Sequence, residues 1–413
     1  MILLCIQLND FITMESLTRN KAINENRTPQ RSPIILGEWE KSTLKRKVFL
    51  QLFGILNEMT GNPIRSIRLL SQFKNKYQAI FGEAMMSKIA RVGNRSFYRL
   101  GSPGFPSPAS KRMHKNEISR LVSKNNSDGL RTLIMAITKQ CPLNCEHCFE
   151  WNNLNKGKEL STSELIQIVR SYQKYGTTQI MFSGGEPMMR KNDIIEILDK
   201  ADSGTDFWII SSGMSLTEES AQQLKNHGLT GVMISLDHHE AEKHNQFRGN
   251  RNAYKWACDA VVNSNRAGLV TALSLCATKT YVQDYNLSRY MKLAKDLGVS
   301  FVQLLEARAE GRYKNMDVML DKNQVQLLDN FYLKYNSDFK YKAYPIINSL
   351  GYHQRHVGCF GGGNRFFYID TDGDAHLCPY CVEKTENVLL KSPKEIIANM
   401  LDKPCHVFEK SSL

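Results

Sequence analysis

No apolar run in this chain of 413 residues reaches the ~20 residues that a bilayer-spanning helix needs, which removes the transmembrane class from the expectations. An export signal is missing as well. The opening Met1-Ile-Leu-Leu-Cys-Ile-Gln-Leu8 is apolar but short, lacks a basic start and is followed by no small-residue cleavage site. It reads as an over-long start, with Met14 as the alternative initiator. Without export, the ten cysteines do not read as a disulfide framework, because disulfides persist in oxidising compartments. Reduced thiols at ligand spacing read as metal ligands instead, and the expected location is cytoplasmic.

Acidic residues are in short supply: 41 Asp and Glu face 54 Lys and Arg, a net charge of +13. The deficit is local, since residues 1–130 hold 21 of the basic residues and only 9 of the acidic ones, leaving the rest nearly neutral. That first third is expected to be a module with its own electrostatics, facing an acidic substrate, a nucleic acid or an anionic membrane surface, the last adding a peripheral membrane location. The plain alternative is a solvated basic face. Residues 15–37 read as an extended or disordered lead-in. Leu44, Val48, Phe49, Leu52, Phe53, Ile55, Leu56 and Met59 then recur at helical spacing beside Lys45, Arg46 and Lys47, predicting a basic amphipathic helix ended by Gly61-Asn62-Pro63. Its apolar stripe suits packing against later helices or lying on a membrane. Further helices are expected at 64–73, 77–91 and 111–123, with the Pro- and Gly-rich stretch 101–108 a linker or an extended arm fixed across a surface. No run of strands is legible in this third.

The strongest pattern lies beyond it. Cys141-Pro-Leu-Asn-Cys145-Glu-His-Cys148 follows a strand-like run at 132–139. Thiolates spaced four and then three apart at the mouth of a strand converge on one side of a tight loop, and they number three. A [4Fe–4S] cluster held by three thiolates keeps one iron open to an outside ligand, whereas structural zinc takes four ligands, usually as two separated Cys-x2-Cys halves. The triplet resembles the signature of the radical S-adenosylmethionine (radical SAM) superfamily, Cys-x3-Cys-x2-Cys at the end of the first barrel strand.

Downstream segments fit that resemblance in order. Gly184-Gly185-Glu186-Pro187 follows a strand-like run at 178–183 and resembles the family's GGEP segment, which binds the methionyl amino group through backbone carbonyls and the glutamate. Paired glycines let a backbone approach a ligand closely. Ser211-Ser212-Gly213 and Ser235-Leu236-Asp237 resemble the turns after the third and fourth strands. The resemblance implies Ser211 and Ser235 as cofactor contacts, Asp237 facing substrate, and Arg248 paired with the methionine carboxylate; the alternative for Arg248 is a surface loop residue. Glu306, Arg308 and Arg312 resemble the barrel exit of SPASM and Twitch members and are further candidates for substrate or cofactor contact.

Helical patterns at 161–175, 193–201, 217–227, 253–265 and 287–297 alternate with strand patterns at 178–183, 207–211, 231–236, 270–277 and 301–306. Six βα-type units of this kind imply a parallel sheet with right-handed crossovers. The expected class is α/β: a partial (β/α)6 radical SAM barrel over 131–312, a basic, mostly helical N-terminal extension over 1–130, and a small cysteine-rich C-terminal domain over 313–413. In α/β barrels the chemistry gathers at the C-terminal strand ends, where every motif here falls.

That last domain brings a second cysteine set. Cys359 and Cys378 flank a hairpin signal, with strand patterns at 366–370 and 375–377 around Thr371-Asp-Gly-Asp374. Cys381 follows in Cys-Pro-Tyr-Cys, and Cys405 comes after a helix capped at Ser392. The spacing resembles the Cys-x9–15-Gly-x4-Cys element of SPASM and Twitch extensions, implying one auxiliary [4Fe–4S] cluster on Cys359, Cys378, Cys381 and Cys405. Zinc with His356, His376 or His406 as mixed ligands is the alternative. Cys5, Cys258 and Cys276 read as ordinary thiols.

The resemblance implies reductive cleavage of S-adenosylmethionine to a 5′-deoxyadenosyl radical, with an electron from a flavodoxin, ferredoxin or reductase. The radical would take a hydrogen from substrate to oxidise or mature a peptide side chain or a small alcohol or sugar. Two other readings stay open: radical modification of a lipid or nucleic acid held by the basic N-terminal module, and a non-enzymatic zinc or iron–sulfur module. No catalytic acid or base is named by the sequence.

Overall fold

Behind the left-handed cap at Gly61, whose N–H donates to Asn57 O, the first third of the chain turns back on itself. The computed structural model describes residues 33–81, 87–123, 129–381, 383–403, 405, 407 and 408. Cys5, His406 and the lead-in up to residue 32 lie outside them. The elements of this third are β1 (Ile34–Ile35), α1 (Glu38–Thr60), α2 (Pro63–Phe81), β2 (Ala90–Val92), β3 (Arg95–Phe97) and α3 (Pro108–Ser123). Leu44, Val48, Leu52, Ile55 and Leu56 of α1 are buried with Leu70, Phe105 and Ile118. The predicted apolar stripe is therefore core, although Phe49 and Met59, counted in it, face outward.

Two expectations for this region are corrected. Among the described residues no separate helix begins at 77, because α2 continues unbroken from Pro63 to Phe81, and residues 90–92 are strand. Nor are strands lacking: β1, β2 and β3 form a small antiparallel sheet. Strands of two or three residues are too short to show a period. The stretch 101–108 is the fixed arm, with Phe105 and Ser96 exchanging backbone hydrogen bonds of 2.7 and 2.9 Å. Part of the basic surplus also points inward, where Arg95 pairs with the buried Asp206 and Arg120 pairs with the buried Glu117.

Beyond Gly129 the expected alternation appears as β4 (Thr132–Ala136), α4 (Thr162–Tyr175), β5 (Gln179–Ser183), α5 (Lys191–Asp199), β6 (Asp206–Ser211), α6 (Glu218–Asn226), β7 (Leu229–Ser235), α7 (Ala241–Arg248), α8 (Ala253–Arg266), β8 (Val270–Ala277), α9 (Asp284–Asp296) and β9 (Phe301–Glu306). Ser161 caps α4 in a capping box with Glu164, whose carboxylate accepts from Ser161 N at 2.8 Å. Every residue of β8 is buried, as a strand covered on both faces must be. Helix α7 was not foreseen; only His244 and Arg248 of its eight residues are buried, so it has no apolar period.

The remaining elements are α10 (Lys322–Ser337), β10 (Ile346–Ser349), α11 (Leu350–Val357), β11 (Phe366–Ile369), β12 (Asp374–His376), β13 (Lys384–Asn387) and α12 (Pro393–Leu401). Among the described residues ten strands make one open sheet in the order β10-β9-β8-β7-β6-β5-β4-β11-β12-β13. It is parallel from β10 to β11 and ends in the expected hairpin. The sheet continues past residue 312 on both sides, since β10 pairs with β9 and β11 with β4. Met181, Trp208, Met233 and Phe301 meet Phe97 and Leu100 of the N-terminal elements in one cluster, which closes the end of the sheet opposite the cysteine loop.

Candidate active site

The loop leaving β4 is held by side chains that arrive from far along the chain. Asn155 accepts from Cys141 N at 3.0 Å and donates to Cys141 O at 3.1 Å, from a backbone at φ 58° that asparagine tolerates better than most residues. Arg312 donates to Asn144 O at 3.0 Å and to Cys145 O at 3.1 Å while its guanidinium lies 4.1 Å from the Trp151 ring centre. The end of α7 completes the frame, with Asn144 N bonded to Arg248 O and Glu146 N to Phe247 O. Burial pushes the Cys141 thiol up to about 11 and the Cys148 thiol up to about 12. At neutral pH both are protonated unless a cationic centre binds their thiolates, as metal ligation does.

Gly184 and Gly185 are needed here because two backbones meet. A Cβ at Gly184, whose φ is 131°, would lie 2.5 Å from Thr138 O, and one at Gly185 would lie 2.2 Å from Gln140 O. Gly185 N and Glu186 N instead donate to Thr138 O and Gln140 O, both at 2.7 Å, locking this segment to the cysteine loop. Pro187 opens a 3-10 turn, Pro187–Arg190, where its missing N–H costs nothing. Glu186 is buried, and its carboxylate accepts from Met188 N (3.1 Å), Ser211 Oγ (2.7 Å), Ser212 N (2.8 Å) and Ser212 Oγ (2.5 Å). Burial raises its pKa while these four donors pull it back. All of its lone-pair directions are in use, so an incoming amine has to take over a serine's place.

Arg248 is no surface loop residue. It closes α7, is buried, and donates to Asp237 Oδ2 at 2.6 Å and to Cys145 Sγ at 3.5 Å. Asp237 also accepts from Cys276 N at 2.9 Å; burial raises its pKa, but Arg248, His147 and His244 outweigh that and the net shift is downward. Asp237, expected to face substrate, is the counter-ion of an arginine that lies against the Cys145 thiol. Arg312, expected to touch substrate or cofactor, binds the loop's carbonyls. Glu306 pairs with Arg355 at 2.7 Å and with Arg308 at 3.9 Å. Asn155 was missed by sequence reasoning, where only the turn-forming Asn155-Lys-Gly157 offered a signal, and Ser212 was read only as part of the Ser211-Ser212-Gly213 turn.

The second cysteine set assembles across the sheet's edge. Cys378 and Cys381 Sγ are 3.4 Å apart, and the buried Cys359 has its thiol within hydrogen-bonding reach of Cys405. One cavity of about 560 Å³ is lined by Cys141, Cys145 and Cys148, by Gly184, Gly185, Glu186, Ser211, Ser235, Asp237 and Arg248, and by Cys359, Cys378, Cys381 and Cys405. Pro187 stands outside its wall. A single zinc ion with Zn–S of about 2.3 Å keeps any two sulfurs within about 4.6 Å of each other. Among the described residues only His238, His239 and Glu240 form a group of three potential ligands all within 4.8 Å. No three thiols of either set meet that limit among the described residues, although Cys378 and Cys381 meet it as a pair.

Residues 135–297 match the Radical SAM superfamily. The chain is 31% identical over 137 residues to a probable GTP 3',8-cyclase of Archaeoglobus fulgidus, covering 33% of this chain and 43% of that protein. It is 29% identical over 205 residues to Fe-coproporphyrin III synthase of Methanosarcina barkeri, covering 48% and 50%. The chain spans about half the length of these curated relatives. Its fold is similar to that of Streptococcus suis SuiB bound to precursor peptide SuiA, with a TM-score of 0.55 at 15% identity over 70% of this chain and 69% of that one. Native anSMEcpe with bound AdoMet and Cp18Cys peptide gives a TM-score of 0.52 at 17% identity, over 64% and 79%. What fills residues 135–297, then, is a domain of the radical SAM superfamily of enzymes.

Proposed function

We propose that this chain is a radical SAM oxidoreductase or maturase whose [4Fe–4S] cluster is held by Cys141, Cys145 and Cys148, with a second [4Fe–4S] cluster on Cys359, Cys378, Cys381 and Cys405 in a Twitch-like or shortened SPASM segment. The observation that carries the reading is that both thiol sets and the buried Glu186 open onto one cavity. When bound, the cluster and S-adenosylmethionine supply a 5′-deoxyadenosyl radical that takes a hydrogen atom from substrate. The protein's own part is placement. Ser211 and Ser212 hold Glu186 where an amine can exchange with a hydroxyl; Ser235 lines the wall beside it; the Arg248–Asp237 pair keeps a positive charge against Cys145. The cavity walls exclude water and other hydrogen donors from the reacting carbon.

The substrate is a small alcohol, sugar or other metabolite, or a peptide side chain. The names of the two curated relatives favour the small molecule. An electron donor of the flavodoxin or ferredoxin kind and a cytoplasmic setting belong to the same proposal; among the described residues no helix is long and apolar enough to cross a membrane. An anionic surface is the second reading for the N-terminal region. It is favoured by the exposed Trp39, Phe49, Leu50, Ile64 and Ile67 beside the exposed Lys45, Arg46, Lys47, Arg65 and Arg68.

Iron, sulfide and EPR measurements on anaerobic protein test the cluster assignment. About eight irons falling to about four in a Cys141→Ala/Cys145→Ala/Cys148→Ala variant, with loss of 5′-deoxyadenosine formation, is the expected result for two [4Fe–4S] clusters. About four irons falling to none would remove the second cluster. No 5′-deoxyadenosine from reduced wild type would sink the whole reading.

A further inference from the structure

We propose that His238, His239 and Glu240 form a metal site of their own, taking a divalent cation of the zinc class that braces the entry to α7. None of the three lines the cavity, so the site stands apart from both cysteine sets and does not depend on the reading above.

The three residues follow Asp237 beyond the end of β7, and α7 begins directly after them at Ala241. One ligand atom from each lies within 4.8 Å of the other two. Two imidazoles and a carboxylate are the donor set of zinc sites that keep a water in the fourth position, and imidazole suits first-row divalent ions generally. Glu240 is exposed and the two histidines are half-buried, so an ion enters directly from solvent.

The hydrogen bonds around the site leave lone pairs on the atoms that ligation needs. Tyr281 Oη donates its one proton to Asn286 O at 3.2 Å, so toward His239 Nδ1, 3.3 Å away, it acts as the acceptor. Nδ1 of His239 therefore carries the ring proton and Nε2 presents a lone pair. An outer partner on the far nitrogen is how ligating histidines are held and oriented.

That Nε2 lies 3.4 Å from Glu240 Oε1. A charge-assisted hydrogen bond between an imidazolium and a carboxylate would be about 2.7–2.9 Å long. Two ligands about 2.0–2.1 Å from one ion at the tetrahedral angle stand about 3.3–3.4 Å apart, so the pair is spaced as one edge of a coordination tetrahedron. His238 stacks on His239 with ring centres 4.6 Å apart, and its Nδ1 accepts from Glu240 N at 2.9 Å. The ion takes over that lone pair and leaves the N–H, at the exposed start of α7, to water. Lys243, which donates to Glu240 Oε1 at 2.9 Å, is an exposed side chain that water solvates once the ion displaces it. An ion here fixes how α7 leaves the sheet, and the other end of α7 carries Phe247 O and Arg248 O to the cysteine loop.

Tag-free, cluster-loaded protein dialysed anaerobically against about 10 µM free Zn2+ tests this, with about one zinc per chain expected. Zinc-edge X-ray absorption is expected to show a nitrogen and oxygen shell at about 2.0–2.1 Å and no sulfur near about 2.3 Å. His239→Gln and Glu240→Gln are each expected to weaken binding about tenfold or more. His227→Gln, which removes an exposed histidine paired with Asp199 on another surface, should bind zinc as wild type does. Amide hydrogen exchange over residues 237–248 is expected to slow when zinc is added to wild type and to stay unchanged in His239→Gln. No bound zinc, sulfur in its shell, binding indifferent to His239→Gln and Glu240→Gln, equal loss in His227→Gln, or wild-type exchange indifferent to zinc would each overturn the proposal.

Discussion

Arg248 shows what a single side chain contributes beyond ligation. Its guanidinium lies 3.5 Å from Cys145 Sγ and is itself compensated by Asp237, so a net dipole with its positive end toward the thiol is built into the loop. Cluster potentials follow local charge and hydrogen bonds to sulfur, and a nearby cation favours the reduced, more negative state. Arg248→Met removes that cation and leaves Asp237 buried without it. The midpoint potential of the first cluster is therefore expected to move to more negative values in an EPR-monitored redox titration; an unchanged or more positive potential would contradict the placement. This role was not legible in the sequence. The resemblance placed Arg248 near the site, but nothing in a linear string told that Asp237, eleven positions earlier, would turn back to meet it.

Elements were legible in proportion to their periodicity. The apolar runs of β8 and β9 and the helical pattern at 161–175 predicted strand and helix with the observed or nearly observed bounds. The polar α7 and the three short N-terminal strands carry no period and were invisible, and they matter to the site because α7 delivers Arg248 and Phe247 to the cysteine loop. The connection after β9 matters in the same way. Gly311 sits at φ 57°, and a Cβ there would lie 2.3 Å from Phe149 Cα and 2.4 Å from Cys148 O. Neither atom belongs to a flexible side chain, so Gly311→Ala must push the two segments apart and carry Arg312, whose N–H donates to Cys148 O at 3.0 Å, away from the loop. Loss of most of the first cluster's iron with an unchanged far-ultraviolet circular dichroism spectrum is expected. Full iron occupancy would show that the loop does not depend on this contact.

At the scale of the whole molecule, reading the chain as three consecutive pieces missed how they are joined. Thiol spacing announced a second cysteine set, yet it did not reveal that β10 and β11 complete the sheet at both sides of the barrel strands, because parallel pairing between distant segments leaves no mark on either. A fragment ending at residue 312 exposes β9 and β4 as long apolar edges, which are aggregation templates. It is expected to be insoluble or to lack a cooperative melt, measured against the full chain by sedimentation and thermal denaturation; a soluble, cooperatively folding fragment would contradict the sheet order.

The N-terminal elements are tied to the same sheet by a charge that burial disfavours. Lys88 is 5% exposed and donates to Tyr344 O at 3.2 Å, just before β10, and burial brings its pKa down to about 7. Its folded pKa is thus depressed below that of the unfolded chain. Below about pH 7 the ammonium is charged in both states and the burial cost is paid in full; above it the folded state releases the proton that the unfolded chain still holds. Stability must therefore rise with pH between about 7 and the ordinary lysine value, by at most ~1.4 kcal/mol per unit and by about 1.5–2 kcal/mol from pH 7 to 8.5. Lys88→Met has no proton to release. The wild type should gain that much on the variant across this interval in paired anaerobic denaturation curves, and two curves that stay parallel with pH would show that Lys88 reaches water.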